Sequence, residues 1–306
     1  MVSTAHKTLK LNYNTLIRKF PMNRKILITG ATGSNGTEIV KRLAAQNVPV
    51  RAMVRNYDQA KKIALPNVEV VEGNFDHPET LLEALTEVDR AFLLTNSTER
   101  AEAQQLAFVE AARQSGVKHI VKLSQFAADA HSPVRFLRYH AVVEAAIQAS
   151  GMTYTFLRPN LFMQGLLSFK STITSQNAFY AAIGDAKVSV VDVRDIADVA
   201  VVALTETGHE GKIYNLTGPQ ALTHAEMAEQ LSAALNRQIA FVDIPSEAMR
   251  DQLLNMPAWQ ADGLIEDYAH YRRNEAAAVS SDIQDAIGKE PRSFKTFACD
   301  YAAMFG

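Results

Sequence analysis

The sequence predicts an α/β fold, with a doubly wound parallel sheet followed by a smaller, mainly helical C-terminal lobe. From Lys25 onward, short apolar runs alternate with helical patterns, and such alternation implies parallel strands joined by right-handed crossovers. The runs are nearly continuous in Val, Ile and Leu, as expected when helices cover both faces of a sheet. A glycine-rich turn joins the first run to the first helical pattern, which is typical of a Rossmann sheet.

The first six strands and the helices between them follow in order along the chain. Apolar runs predict strands at residues 25–29, 50–54, 68–72, 91–94, 119–123 and 153–157. Helical spacing predicts helices at residues 36–46, 57–64, 78–85, 98–115 and 136–150. Pro78 suits the first turn of its helix, while Gly116 and Gly151 suit the ends of the two helices that precede them.

The pattern becomes less regular after Arg158. Residues 188–191 and 213–216 predict two further strands, and residues 192–204 between them have the spacing of a helix packed on the sheet. Asp192 and Asp195 are placed to cap that helix. Thr223 and Glu226 form a capping-box pattern at the start of a helix over residues 223–235. The remainder is predicted to be mostly helical.

Bulk properties narrow the class of protein. The chain has 306 residues, is 47% hydrophobic and carries a formal net charge of -2, so it can bury a sizeable core. The near-neutral balance argues against nucleic acid or an anionic membrane as the main partner. A single cysteine, Cys299, excludes an intrachain disulfide, and the histidines lack the spacing of metal ligands. We therefore predict a cytoplasmic monomer or homodimer without a metal.

The turn after the first strand reads "GATGSNG" and spans residues 30–36. Gly30 and Gly33 allow a sharp turn, and Gly36 lets the following helix pack closely. The N–H groups at the helix start, together with the helix dipole, favour a bound pyrophosphate. Because this turn follows a strand and opens a helix, it predicts dinucleotide binding.

The end of the second strand indicates which dinucleotide is preferred. A carboxylate there would bind a ribose 2′-hydroxyl and select NAD, whereas an arginine accommodates a 2′-phosphate. The strand ends in Arg55 and has no acidic residue nearby, while Arg51 is less well placed. We therefore predict that NADP(H) is preferred and that NAD(H) is possible. The alternative is that Arg55 is a solvated loop charge.

Five stretches resemble the NmrA-like group of atypical short-chain dehydrogenases: "ITGATGSNG", "GNFDHPETL", "KLSQFAA", "SGMTYTFLRPNLFMQ" and "VSVVDVRDIADVA". The resemblance extends from about residue 24 to the C-terminus and is strongest to NAD(P)H-dependent quinone and azo-compound reductases. It implies that the dinucleotide is bound by Gly30, Thr32, Gly33, Ser34, Asn35, Gly36, Asn74, Phe75, Leu94, Thr95, Asn96, Ser124, Gln125, Pro159, Asn160, Leu161 and Phe162. For Phe162, packing within the lobe is an equal alternative.

One departure from the wider superfamily concerns its Tyr and Lys, four residues apart on the helix after the fifth strand. Aligning Glu144 with the group's glutamate places Phe136 in the tyrosine slot and His140 in the lysine slot. The resemblance thus implies that His140 and Ser124 are the catalytic candidates and that His140 also binds ribose. A lysine at 140 should therefore retain much of the cofactor binding and turnover, since it supplies the same donor and charge. Tyr139 is predicted to face away from the site. Ser124 and His140 have no carboxylate partner apparent in the sequence, so a hydrolase triad is unsupported.

Two functions remain open at this point. Without a phenol at residue 136, electron-poor aromatic or conjugated acceptors such as quinones or azo compounds are favoured, because they depend less on a strong acid. The alternative is a non-catalytic NAD(P) redox sensor. The apolar segment "PNLFMQGLLSFK" favours the reductase, since it supplies a wall for a flat aromatic substrate. Tyr180 is predicted either to line the pocket or to pack within the lobe.

The predicted domains follow from these assignments. Residues 1–22, with four basic residues and no acidic one, form a flexible basic extension, and a transit peptide is the alternative. Residues 23–160, completed by about 186–217, form the NAD(P)-binding domain. Residues 161–185 and 218–306 form the substrate-binding lobe.

Overall fold

The computed structural model describes residues 25–305, so the predicted extension at 1–22 lies outside the described residues. A seven-stranded parallel sheet has the order β3-β2-β1-β4-β5-β6-β8. Its strands are β1 Lys25–Ile28, β2 Val50–Val54, β3 Val68–Glu72, β4 Val88–Leu93, β5 His119–Leu123, β6 Thr153–Pro159 and β8 Lys212–Leu216. A separate two-stranded parallel sheet pairs β7 Ala178–Ala181 with β9 Ala240–Asp243. The predicted doubly wound α/β class is confirmed.

The helices fall into two groups along the chain. Those that pack on the large sheet are α1 Ser34–Ala45, α2 Pro78–Ala84, α3 Ala101–Gln114, α4 Arg135–Ala149, α6 Val193–Thr205 and α10 Asp282–Ile287. The remainder are α5 Lys170–Gln176, α7 His224–Leu235, α8 Ser246–Gln252, α9 Ala258–Arg272, α11 Phe294–Asp300 and α12 Ala302–Phe305. Two 3-10 helices, Tyr57–Lys62 and Met163–Phe169, complete the list. Within residues 25–305, every helix is too short or too polar to cross a membrane.

Helices cover both faces of the large sheet, as its apolar strands require. On one face α1 packs against α6, and Ile39, Leu43 and Val199 join one buried core there. On the other face α3 packs between α2 and α4, and Phe108 and Val143 belong to a second core. The chain reverses direction along the sheet between β1 and β4. Ligands of doubly wound sheets bind at such a switch point, beyond the carboxyl ends of the strands.

A third buried cluster holds the small sheet against the C-terminal helices and includes Phe179 of β7 and Phe297 of α11. The predicted capping box at the start of α7 is confirmed, because Thr223 accepts from the Glu226 N–H and Glu226 accepts from the Thr223 N–H. Asp192 also caps α6 as predicted, accepting from the Arg194 N–H.

Two local predictions about strands fail. The predicted strand at residues 188–191 is wrong, because Val188 and Val191 make only isolated bridges, to Leu222 and Phe162 respectively. Those partners lie on different segments, so no continuous ladder forms. Conversely, β7 and β9 were not predicted: each has only four residues, and its partner lies far along the chain, since Ala178 pairs with Ala240.

Candidate active site

A single cavity of about 760 Å³ opens at the carboxyl ends of β1, β2, β4, β5 and β6 and continues to α9 of the C-terminal region. It brings together the residues that the sequence predicts for dinucleotide binding. Those that line it are Gly30, Thr32, Gly33, Ser34, Asn35, Arg55, Asn74, Phe75, Leu94, Thr95, Asn96, Ser124, Gln125, His140, Pro159, Asn160, Leu161 and Phe162. Gly36 does not line the cavity, and instead it packs against the backbone of the turn at Gly30.

The turn between β1 and α1 is built to receive an anion. Gly33 is the N-cap and offers no side chain, and the first turn of α1 contains no acidic residue, so its N–H groups are left for another partner. A Cβ at Gly36 would overlap the Gly30 carbonyl oxygen, so only glycine lets the helix start so close to the turn. The Asn35 Oδ1 is buried without a partner. These features fit the pyrophosphate and an adjoining polar group of a dinucleotide.

On the β2 side, the rim of the cavity carries Arg55, whose guanidinium group has no partner among residues 25–305. Arg55 is exposed, lines the cavity and makes no ion pair or hydrogen bond with the described residues. Arg51, by contrast, is buried and donates to Glu69 and to the carbonyls of Ala84 and Thr86, which is a structural role. Of the two arginines, therefore, Arg55 is the one available to a ligand.

Asn74 and Phe75 form the neighbouring wall. The Asn74 Oδ1 accepts from the Asp76 N–H at 3.0 Å, which fixes the turn after β3. The Phe75 ring packs on Phe108, with centroids 5.8 Å apart. Both side chains are therefore held in place by contacts with their neighbours, at the position where the resemblance predicts the adenine.

Arg55, which is predicted to meet the adenosine ribose, lies on the β2 side of the switch point. The nicotinamide half of a dinucleotide would therefore extend in the other direction, over β4, β5 and β6. Beneath that half, Lys122 of β5 is fully buried, and its Nζ donates to His140 Nδ1 at 2.6 Å and to the Leu123 carbonyl at 3.2 Å. Burial lowers the pKa of Lys122 to about 7, while Glu144 opposes this shift and Arg158 adds to it. A lysine within an apolar strand was the sequence signal for this group, and it was missed.

His140 is held as a neutral ring. Burial and, after it, the charges of Lys122 and Arg158 keep the pKa of His140 well below its usual range. Because Nδ1 accepts from Lys122, the ring proton resides on Nε2. Nε2 has no partner among residues 25–305, and His140 lines the cavity, so its N–H is left available as a donor. The predicted role as a ribose donor remains a prediction, but it does not depend on a positive charge.

Ser124 has a carboxylate partner, contrary to the expectation from sequence. Its hydroxyl donates to Glu144 Oε1 at 2.5 Å, and Glu144 is in turn paired with Arg158, whose Nη2 lies 2.5 Å from Oε2. The contact arises because β5 and α4 meet at the strand end, which spacing along the chain does not reveal. No imidazole lies between the serine and the carboxylate, so the set is not a hydrolase triad.

Tyr139 also departs from its predicted position. It lines the cavity beside Phe136 and His140, because residues three and four apart share one helix face. Its hydroxyl lies 2.9 Å from the Ser97 Oγ, and burial raises the pKa of the phenol. Phe136, in the tyrosine slot, packs on Trp259 with centroids 5.5 Å apart.

The segment after β6 closes the cavity. The Asn160 amide nitrogen donates to the Ser189 Oγ and the Ala276 carbonyl, both at 2.8 Å, so its side chain joins the sheet to the C-terminal region. Phe162 lines the cavity and also packs on the core under α1 and α6. Tyr180 lies outside the cavity, and its hydroxyl donates to Gln176 at 2.7 Å.

One buried carboxyl on the far wall was missed by sequence reasoning. Asp267 of α9 lines the cavity, is only 5% exposed and accepts from Gln125 Nε2 at 3.0 and 3.1 Å. Burial raises the pKa of Asp267 to about 7, with Glu266 adding to the rise and Gln125 opposing it. No sequence signal distinguishes Asp267 from the other carboxylates of α9. Within residues 25–305, no cluster of His, Cys, Asp and Glu is arranged to hold a metal.

Comparison with known proteins places this site in a family. The sequence model of the NmrA-like family matches residues 22–301. The chain belongs to the NmrA-like family. The predicted resemblance is therefore confirmed over nearly the whole length.

Relatives within this family share most of the chain. An NAD(P)H azoreductase of Xenophilus azovorans is 38% identical over 283 residues, which cover 92% of this chain and 99% of the relative. A triphenylmethane reductase of Citrobacter sp., solved with NADP(H), is 29% identical, with a TM-score of 0.80 and coverage of 90% and 99% of the two chains. An NADPH-dependent quinone oxidoreductase of Escherichia coli, solved with NADPH, is 26% identical, with a TM-score of 0.81 and the same coverage.

Proposed function

We propose that the protein is an NAD(P)H-dependent reductase that transfers hydride to an electron-poor aromatic or conjugated acceptor of the quinone or azo type. The observation that carries this proposal is the continuity of the cavity, which runs from the uncapped start of α1 to a wall formed by Leu264, Asp267 and Tyr271 of α9. A redox sensor needs only the dinucleotide groove. The additional space beside the C-terminal region gives an acceptor a place to lie against the bound nicotinamide.

Different residues along this cavity would bind different parts of the dinucleotide. Gly30, Thr32, Gly33, Ser34 and Asn35 would hold the pyrophosphate, and the N–H groups of α1 would offset its charge. When bound, the reduced nicotinamide supplies hydride. His140 Nε2 would donate to a ribose hydroxyl and fix the orientation of the ring, and Pro159 and Phe162 would exclude water from its face.

The preference for NADP(H) over NAD(H) is part of this proposal. Arg55 is exposed on the cavity rim, has no partner among the described residues, and follows a strand end that lacks a carboxylate. A guanidinium binds a phosphate through charge-assisted hydrogen bonds. The proposal also includes the division into residues 23–160 with about 186–217 for the dinucleotide, and residues 161–185 with 218–306 for the acceptor.

A turnover assay tests the proposed function directly. NADPH oxidation would be followed by absorbance with a panel of quinones and azo dyes, each with an enzyme-free control for direct chemical reduction. We expect saturable turnover with at least one acceptor. If NADPH binds and no acceptor of either class supports turnover, the reductase assignment is wrong and the sensor is favoured.

A further inference from the structure

Asp267 and Gln125 form a contact across the cavity that the proposed function does not use. Gln125 lies just beyond the carboxyl end of β5, and Asp267 lies on α9. The two residues are 142 positions apart in the sequence. The Gln125 amide donates to both carboxyl oxygens, at 3.0 and 3.1 Å. Both residues line the cavity, Gln125 beside the predicted nicotinamide-binding residue Ser124, and Asp267 on the same helix as the wall residues Leu264 and Tyr271.

The surroundings of Asp267 favour its neutral form. Among residues 25–305, no lysine, arginine or histidine forms an ion pair with it, and its only hydrogen-bond donor is a neutral amide. A buried carboxylate without a cation loses its hydration and gains little in return. The titratable groups on the helices beside it are Glu266, Tyr268, His270 and Tyr271 on α9, and Tyr139 and His140 on α4. Burial lowers the pKa of both histidines, and His270 is paired with Glu275. Glu266, whose charge adds to the rise in the pKa of Asp267, is paired with Arg135.

Three other groups at the cavity carry a proton, namely Ser124, Tyr139 and His140, but each is hydrogen-bonded to another side chain or is a weak acid. The Ser124 hydroxyl donates to Glu144 at 2.5 Å. The Tyr139 hydroxyl is hydrogen-bonded to Ser97, and burial raises its pKa above the usual phenol range. His140 is a neutral ring, and its remaining N–H is a poor acid. Asp267, by contrast, is a buried carboxyl on the cavity wall whose hydrogen bonds within residues 25–305 come from the Gln125 amide alone, so its own proton is left available to a ligand.

We propose that Asp267 is the proton donor of the reaction and delivers its carboxyl proton to the oxygen or nitrogen of the acceptor. This inference rests on the proposed reductase function and adds a named acid to it. Gln125 holds the carboxyl in place and stabilises the carboxylate that forms.

The step balances in protons and electrons. A quinone or azo acceptor gains two electrons and one proton as hydride from the bound dinucleotide. The O–H bond of Asp267 breaks as a new O–H or N–H bond forms on the acceptor, and the carboxylate remains on Asp267. The acceptor is reduced, the dinucleotide is oxidised, and solvent entering the open cavity returns the proton to Asp267 after product release.

The choice of acceptor provides a sharp test. A neutral quinone needs both hydride and a proton, whereas a cationic triarylmethyl dye becomes neutral on receiving hydride alone. With the quinone, we expect Asp267→Asn to lower kcat by about 100-fold, in the range of a single general acid. With the dye, kcat of Asp267→Asn should differ from that of the wild type by less than about twofold. Reduction of the quinone depends on the acid, whereas reduction of the cationic dye needs hydride alone. Asp262→Asn, the same substitution on α9 outside the cavity, serves as the control.

The pH profile identifies the group. For the quinone, kcat/KM of the wild type should fall about tenfold per pH unit above about pH 7, since the active form is protonated and the pKa of Asp267 is about 7. Asp267→Asn should abolish that fall. Gln125→Met removes the donor that stabilises the carboxylate, so the fall should move to higher pH. This second variant keeps the inference testable if Asp267→Asn does not fold.

A readout without turnover completes the design. Infrared difference spectra of the ligand-free wild type, recorded across the neutral pH range, should show a protonated carboxyl band that disappears as the pH rises. The band should be absent in Asp267→Asn, and NADPH affinity of that variant should stay within about twofold of the wild type, because the dinucleotide does not need the acid.

Three outcomes would overturn the inference. An unchanged rate and pH profile of Asp267→Asn with the quinone would show that water supplies the proton. Equal losses with the quinone and the dye would show a structural role. A higher KM confined to the cationic dye would show that Asp267 binds charge instead. Absence of turnover in the wild type with every acceptor would count against the proposed function, and is distinguishable from all three.

Discussion

The Lys122 Nζ lies 2.6 Å from the His140 Nδ1, so a fully buried lysine and a buried histidine share one hydrogen bond beneath the cavity. When Lys122 is protonated it can only donate, so this pairing places the ring proton of His140 on Nε2. Lys122 thus holds the ring from beneath, while His140 itself lines the cavity.

The buried amine makes stability depend on pH in a defined direction. The pKa of Lys122 is about 7 in the folded chain against 10.5 for the free side chain, so the unfolded chain binds more protons between these values. Stability from this group therefore rises as the pH increases from about 7 to about 10. Measured by urea unfolding, the wild-type free energy minus that of Lys122→Met should rise by up to about 3 kcal/mol over that range.

The exposed Lys118 provides the control for that experiment. Lys118→Met removes the lysine that directly precedes the same strand without emptying a buried site, so its difference from the wild type should be nearly independent of pH. If Lys122→Met shows the same flat difference, the Lys122 amine keeps an ordinary pKa in the folded chain, and the prediction is wrong.

Arg55 should set the choice between the two dinucleotides. Its guanidinium lines the cavity and has no partner in the described part of the chain, so a 2′-phosphate can pair with it. Arg55→Ala should weaken NADPH binding by about 10- to 100-fold, equivalent to roughly 1.5–3 kcal/mol, and leave NADH binding nearly unchanged. Fluorescence titration of both dinucleotides measures this. Lys62→Ala, an exposed cation outside the cavity, should change neither affinity, and equal affinities in the wild type would refute the assignment.

Local signals in the sequence were sufficient for the sheet and for one half of the site. Apolar runs identify the strands of a buried parallel sheet, and the turn at Gly30 is a short motif with a fixed context. Residues that follow strand ends, such as Thr95 and Ser124, reach the cavity because all the parallel strands end at the same edge. These positions follow from the architecture alone.

The contacts that define the chemistry were not predictable in this way. Ser124 and Glu144 are 20 residues apart, and Gln125 and Asp267 are 142 apart, so each pairing depends on how separate elements pack. Burial is also a tertiary property. Lys122 and Asp267 would be ordinary charges in solution, and the fold alone changes their pKa values.

The close approach of α4 and α9 should make Gly263 irreplaceable. A Cβ there would overlap the Phe136 ring, so the ring would have to give up part of its packing against Trp259 and Tyr139 to make space. Alanine favours a helix by up to about 1 kcal/mol over glycine, yet overpacking costs typically about 1–3 kcal/mol. We therefore expect Gly263→Ala to lower the free energy of unfolding in urea. Gly165→Ala, where a Cβ would meet open space, is the matched control, and equal behaviour of the two would contradict the prediction.

The last prediction concerns His140 itself and revises an expectation from sequence. A lysine at this position was expected to retain much of the cofactor binding and turnover, but the structure puts Lys122 in hydrogen-bond contact with the ring. His140→Lys would bring two buried amines together, so it should lose stability. Glutamine is the better replacement, because its oxygen can accept from Lys122 and its nitrogen can donate into the cavity.

His140→Gln should therefore retain NADPH affinity within about threefold, whereas His140→Ala should lose about 3- to 10-fold, the value of one hydrogen bond. Titration of NADPH and urea unfolding of all three variants separate binding from folding. The expected order of affinity is glutamine above alanine, and the lysine variant should be the least stable. If glutamine binds NADPH no better than alanine while both variants remain folded, the donor at residue 140 does not contact the dinucleotide. The ribose contact would then have to come from another residue of the cavity, and only the support of Lys122 would remain as a role for His140.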